Sequence, residues 1–235
     1  NVWSRVVCDA KTGYLLFQLT EATHTLMVVH ADRQDFNQWS DNNELLLTFT
    51  ARSDKETVVN LTNHAYFNLN GDGRTTILNN LLTLNADRYT PIDSTYIPLG
   101  ELSPVEGTPM DFRTPKEIGR DIDADFEQVK FGLGYDHNWC LDKTCEGVEL
   151  AATLYEPESG RVMEVLTDQP GLQFYCGNFF DGTTTVKYGK AIGYRCSLAL
   201  ETQKWPDSIN HEGFCDTVLR PGELYTHTCI YRFSR

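Results

Sequence analysis

Apolar residues recur at every second position through much of this chain. That period constrains the fold more than any other feature, because it places them on one face of an extended strand. From Glu44 to Ala51, Leu45, Leu47 and Phe49 alternate with Leu46, Thr48 and Thr50. From Leu224 to Phe233, Tyr225, His227, Cys229, Tyr231 and Phe233 alternate with smaller residues, as in a closing core strand. Val148 to Tyr155 and Arg161 to Thr167 flank Glu156-Pro-Glu-Ser-Gly160, whose residue types make a turn, so the two runs read as a hairpin. Helical spacing occurs in one short stretch, Ile118, Ile122, Phe126 and Val129 after Pro115. Many strands and little helix predict an all-β fold, an antiparallel β-sandwich. No linker, low-complexity tract or repeat divides the chain, and 235 residues suffice for a sizeable core, so residues 1–235 are expected to form a single domain.

Charge and cysteine usage remove several function classes. A net charge of −13 argues against a nucleic-acid partner, whose phosphates call for a basic face. No apolar run is long enough to span a bilayer and no signal peptide is recognised at the start, so no membrane partner is expected and the expected location is cytoplasmic. The seven cysteines are odd in number and include no Cys-x-x-Cys pair, and the closeness of Cys140 to Cys145 is weak ground for a bridge. Reduced thiols in a cytoplasmic protein are the simpler account. The histidines lack metal-ligand spacing, so no catalytic metal is expected.

Two runs carry the chemistry. In Asn60-Leu-Thr-Asn-His-Ala-Tyr-Phe-Asn-Leu-Asn-Gly71, strand alternation puts Leu61, Asn63, Ala65, Phe67 and Leu69 on one face and Thr62, His64, Tyr66 and Asn68 on the other. The second face suits a wet cavity for a polyhydroxylated ligand: its side chains donate to and accept from hydroxyls, and Tyr66 offers a flat surface to a pyranose ring. In Ser197-Leu-Ala-Leu-Glu-Thr-Gln-Lys-Trp-Pro-Asp-Ser-Ile-Asn210, Leu198 and Leu200 point one way and Glu201 the other, just before a Trp-Pro-Asp turn. A carboxylate at such a strand end, facing a histidine on another strand, makes an acid/base pair.

Four ordered blocks extend these runs: Thr57-Val-Val-Asn-Leu-Thr-Asn-His-Ala-Tyr-Phe-Asn-Leu, Gly134-Tyr-Asp-His-Asn-Trp139, Thr167-Asp-Gln-Pro-Gly-Leu-Gln-Phe-Tyr-Cys-Gly-Asn-Phe179, and Leu200-Glu-Thr-Gln-Lys-Trp-Pro-Asp207 through Val218-Leu-Arg-Pro-Gly-Glu223. In order and spacing the chain resembles the aldose 1-epimerases, the mutarotases of galactose and glucose, from about residue 43 to its end. The resemblance implies a β-sandwich of the galactose mutarotase type. It also implies roles: His64 as the general acid that protonates the ring oxygen, and Glu201 as the general base at the anomeric hydroxyl. Asp136 and Gln173 would hold sugar hydroxyls, and Tyr66 would line the pocket. The hemiacetal would open to an aldehyde, rotate and reclose as the other anomer, with no cofactor, since no hydride or high-energy bond moves.

The chain also departs from the family pattern. The Gly-Arg-x-x-Asn-Arg and Leu-His-Gly-Gly stretches, which in the family supply an arginine and a second histidine to the sugar from a longer N-terminal part, do not occur here, and the chain reads as lacking that segment. The stretch from about Thr23 to Trp39 matches no family motif, and His24 and His30 are its candidate substitutes for the missing histidine.

Each residue has a plainer reading as well. His64 reads equally as a satisfied core histidine, Glu201 as an exposed strand-end carboxylate, and Asp136 as a turn cap. His227, on an apolar strand face, is expected to be structural, and His211 to be solvated. The functional expectation is an enzyme, an aldose 1-epimerase acting on galactose or glucose, with a non-catalytic sugar-binding homologue as the alternative. A glycoside hydrolase needs two carboxylates across the bond, and a His/Glu pair speaks against it.

Overall fold

The alternation is realised as sheet. The computed structural model describes residues 43–71, 75–185, 189 and 191–235, together with the backbone of three earlier strands. In chain order the strands are β1 (Trp3–Cys8), β2 (Tyr14–Leu19), β3 (Thr25–Ala31), β4 (Glu44–Arg52), β5 (Thr57–Val58), β6 (Leu81–Leu84), β7 (Arg88–Thr90) and β8 (Ser103–Pro104). They continue with β9 (Lys116–Glu117), β10 (Asp136–Cys140), β11 (Glu149–Glu156), β12 (Arg161–Thr167), β13 (Gly171–Tyr175), β14 (Ala199–Gln203), β15 (Val218–Leu219) and β16 (Tyr225–Ser234). Among the described residues one sheet has the order β1-β2-β3-β4-β16-β12-β11-β6-β9 and a second β14-β13-β10-β7-β8, while β15 and β5 form a separate pair. All of these pairings are antiparallel.

The two large sheets close on one apolar core. From the first come Leu47, Phe49, Leu82, Leu154, Met163, Val165, Cys229 and Tyr231; from the second, Trp139, Leu172, Phe174 and Leu200. Polar groups cross the same interface: the Tyr231 hydroxyl donates to the Leu200 carbonyl at 2.8 Å, satisfying a buried group that would otherwise be costly. The fold is thus the expected antiparallel β-sandwich. The hairpin is β11 and β12, with register Glu156↔Arg161. Its turn is tied by the Glu156 carboxylate, which accepts the amides of Glu158 at 2.9 Å and Ser159 at 2.7 Å. Tyr225, His227, Cys229 and Tyr231 of β16 are all buried, as their alternation requires; Leu224 lies outside the strand and is exposed.

Two sequence expectations are corrected. The helical spacing from Ile118 to Val129 does not make one helix: a 3₁₀ turn spans Ile118–Arg120 and a one-turn helix, α1, spans Glu127–Phe131. Ile118, Ile122 and Val129 still reach the same core, so the apolar spacing survives without the helix. The run from Asn60 to Gly71 is not a strand either, apart from one bridge between Phe67 and Leu198. The Asn63 side chain accepts the Ala65 amide at 2.9 Å, an Asx turn that takes the backbone out of any ladder. His30 lies in β3, in register with Thr48, while its side chain and the whole of His24 lie outside the described residues.

Candidate active site

The second sheet has two unlike faces. Trp139, Leu172, Phe174 and Leu200 point into the core and are fully buried. Strand pleating sends Asp136 and Asn138 of β10, Gln173 and Tyr175 of β13 and Glu201 of β14 to the other face. Register aligns them in rows, Asn138 with Gln173 and Gln173 with Glu201, then Asp136 with Tyr175. Sequence reasoning placed Glu201 at a strand end; it is the central residue of β14, which is a better-held position for a functional group.

The Asn60–Phe67 segment covers the edge of β14. At one end the Asn60 side chain pairs with the Lys204 backbone, donating to its carbonyl at 2.8 Å and accepting its amide at 2.9 Å. At the other, Phe67 and Leu198 exchange backbone hydrogen bonds of 2.8 and 2.9 Å. Between these ties the segment swings clear of the strand, and His64 comes opposite Glu201. The His64 Nε2 stands 3.2 Å from Glu201 Oε1, with the imidazole half exposed and the carboxyl nearly buried (side-chain exposures 49% and 9%). The predicted pair is therefore brought together, with the histidine carried by a tethered loop.

The other predicted residues gather around it. Gln173 donates its Nε2–H to Asp136 Oδ1 at 2.9 Å, so Asp136 is a strand residue held from the neighbouring strand and caps no turn. The Tyr66 ring lies 4.9 Å from His64, centroid to centroid, and is half exposed. Sequence reasoning missed Tyr175, whose ring lies 6.0 Å from His64 and 6.4 Å from Tyr66, and Phe180, 5.1 Å from Tyr66. Tyr175 was accessible to the same alternation that places Gln173 two residues earlier on this face. With these rings the wall of the site becomes aromatic on one side and hydrogen-bonding on the other, the lining that a polyhydroxylated ring requires.

Electrostatics follow from the partial burial. Burial, with the neighbouring Asp136 charge adding to it, pushes the Glu201 carboxyl up to about 8. Burial also raises Asp136, against the opposing pull of the Gln173 amide and His64. The Tyr66 hydroxyl is raised by burial and then by Glu201 and Asp136. A carboxylate so placed is a stronger base than an exposed one and still ionises near neutral pH.

Two further histidines are accounted for. His227 is fully buried in β16, consistent with its structural reading. His211 is not freely solvated: its Nε2 lies 3.0 Å from Asp207 Oδ2 and its ring packs on Phe214 at 5.1 Å. Among the described residues no group of three or more His, Cys, Asp and Glu side chains is placed to hold a metal ion, and no helix is long and apolar enough to cross a membrane.

Fold and site together define an antiparallel β-sandwich protein with a close His64/Glu201 pair on the outer face of the smaller of its two large sheets. The family profile described as aldose 1-epimerase matches residues 38–232, and the chain belongs to that family. It is 41% identical over 232 residues to a galactose mutarotase from Pongo abelii, a match covering 99% of this chain and 62% of that protein. Among solved structures, the aldose epimerase homologue from C. elegans superposes with a TM-score of 0.79 at 26% identity, covering 99% of this chain and 68% of that one. The galactose 1-epimerase from Lactobacillus acidophilus NCFM superposes at 0.75 with 29% identity, covering 100% and 67%. The chain thus spans about three fifths of the length of the curated relatives it matches, 62% for the protein from Pongo abelii.

Proposed function

We propose that this chain interconverts the α and β anomers of hexoses such as galactose and glucose by opening and reclosing the ring. The observation that carries the reading is the His64 Nε2 to Glu201 Oε1 distance of 3.2 Å on a face lined by hydrogen-bonding and aromatic side chains. The two oxygens that exchange protons in ring opening are both bonded to the anomeric carbon, so an acid and a base must stand this close together.

In the proposed reaction protonated His64 gives its proton to the ring oxygen while ionised Glu201 takes the proton of the anomeric hydroxyl. The bond from the anomeric carbon to the ring oxygen breaks, its electron pair leaving with that oxygen, and the anomeric carbon becomes an aldehyde. Rotation about the adjacent carbon–carbon bond presents its other face. On reclosure the former ring oxygen attacks that carbon and returns its proton to His64, while Glu201 protonates the new anomeric oxygen. The pair carries one proton throughout, so nothing is consumed. Asp136 and Gln173 hold sugar hydroxyls in this pose, and Tyr66 offers its ring to the apolar face of the sugar.

Polarimetry on freshly dissolved α-galactose tests the reading. The expected result is a first-order decay of optical rotation faster than buffer alone. Each positioned proton transfer is worth about 10²–10⁴-fold, so His64→Gln and Glu201→Gln are each expected to lose most of the acceleration with the fold intact. A decay no faster than buffer, with sugar binding retained, leaves a non-catalytic sugar-binding homologue as the reading. Near-full rate in either variant refutes the assignment of roles.

A further inference from the structure

The loop that carries His64 has no ladder between its two end ties, yet it presents an imidazole to Glu201 at 3.2 Å. A histidine outside the site is bound to this loop. His227, on β16, lies beneath the Asn60–Phe67 segment, and its Nδ1 is 3.1 Å from the Leu61 carbonyl oxygen, three residues before His64. A carbonyl only accepts, so Nδ1 carries the proton and donates. The Nε2 is then an acceptor, and the Thr202 hydroxyl donates to it at 2.8 Å. Thr202 is the residue after Glu201 on β14.

One imidazole therefore joins the strand of the carboxylate to the loop of the histidine. The plane of the ring is set from a third side by Phe49, stacked at 4.6 Å and 16°. The Leu61 amide is held by the same strand, donating to the Tyr225 hydroxyl at 3.4 Å. Both backbone groups of Leu61 thus end on β16, on side chains two positions apart.

We propose that His227 is a positioning residue for proton transfer: through Leu61 it fixes where His64 stands relative to Glu201. This rests on the reading of His64 and Glu201 as the acid/base pair. It goes beyond packing because the bond is made to the loop and not to the core, and because one imidazole spans both the loop of His64 and the strand of Glu201.

The test pairs two substitutions at one site. His227→Phe keeps a flat ring for Phe49 and removes the donor; His227→Asn places an amide N–H where Nδ1 stood. In the Phe variant kcat is expected to fall at least tenfold with KM within twofold of the parent, since Asp136 and Gln173 are untouched, and Asn is expected to restore most of the loss. The nitrogen-15 resonances of the His64 imidazole, recorded without substrate, are expected to shift in the Phe variant and to return in the Asn variant. Tyr225→Phe, a single-atom change, is expected to shift them less and in the same direction, and it decides the matter if the Phe variant does not fold.

Unchanged His64 resonances in a folded His227→Phe or Tyr225→Phe protein overturn the proposal, as does an Asn variant no better than Phe. If the parent protein shows no epimerase activity, the functional reading fails, while the His64 resonances still decide the role of His227.

Discussion

Glu201 meets two demands that pull against each other. In the proposed reaction it must be ionised to take a proton, and it is nearly buried beside a second carboxyl. The outcome is a group pushed up to about 8 by burial first and by Asp136 second. Since the proposed base works only when ionised, the acid limb of kcat/KM against pH is expected to follow this group in the free protein. Asp136→Asn removes the negative neighbour, so ionisation of Glu201 becomes easier and its pKa falls. The acid limb is expected to move to lower pH while the maximal rate drops, because in the proposed pose Asp136 also holds a sugar hydroxyl. A pH–rate profile checks this, and a limb that stays in place would mean Asp136 does not act on Glu201.

At the scale of elements, the sequence made the faces legible but not the backbone between them. Leu61 and Phe67 pack against the core while His64 and Tyr66 turn to the site, as the alternation predicts. No ladder follows, because Asn63 diverts the Ala65 amide, and that diversion belongs to side-chain chemistry which a period of two does not encode. The Ile118–Val129 spacing misled in the same way: a 3₁₀ turn and a one-turn helix reach the same core that one continuous helix would have reached. Gln173 was singled out because its flanking block resembles a family, and Glu201 from its strand alternation together with such a block. Tyr175 was missed because a tyrosine on a sheet face is ordinary until its neighbours are known. The link from His227 to Leu61 joins positions 166 residues apart, and no local pattern announces it.

The sheet carrying the site also depends on a bare position on β13. A Cβ at Gly171 would lie 2.5 Å from Asn138 Oδ1 and 2.8 Å from Trp205 Cδ1. Trp205 is anchored by its indole N–H, which donates to the Pro170 carbonyl at 3.0 Å, so it yields poorly. Gly171→Ala is expected to cost roughly 1–3 kcal/mol, as overpacking does, and to lower activity by displacing the row of side chains that includes Gln173. Chemical denaturation and polarimetry measure the two effects. A variant as stable as the parent would mean that Trp205 moves freely.

Across the whole molecule, buried titratable groups act in opposite senses. Burial holds His137 down to about 3 and His227 to about 4, whereas histidine in an unfolded chain titrates near 6.5. Below about 6.5 the unfolded chain binds protons that the fold excludes, so acidification costs about 1.4 kcal/mol per pH unit for each histidine until its folded value is reached. Glu201 is reversed: between its unfolded value near 4.3 and about 8 the fold keeps a proton that the unfolded chain releases, so stability falls as pH rises through that window. Glu201→Gln removes the second effect and leaves the first. By scanning calorimetry its Tm is expected to exceed that of the parent above about pH 8 and to match it near pH 4, with the acid loss intact in both. Equal Tm at both ends would show that Glu201 is not strained in the fold.

The tethered segment over β14 has a consequence outside chemistry. Among the described residues β14 is the last strand of its sheet, and a strand in that place offers unpaired amides and carbonyls to any other extended chain. The ties at Asn60 and Phe67 close that row on either side of Glu201. Fraying of the segment would displace His64 and at the same time open a template for intermolecular pairing. A substitution that loosens Asn60 is therefore expected to act twice over, on the placing of His64 and on aggregation, so this loop cannot gain mobility without endangering the solubility of the protein that bears it.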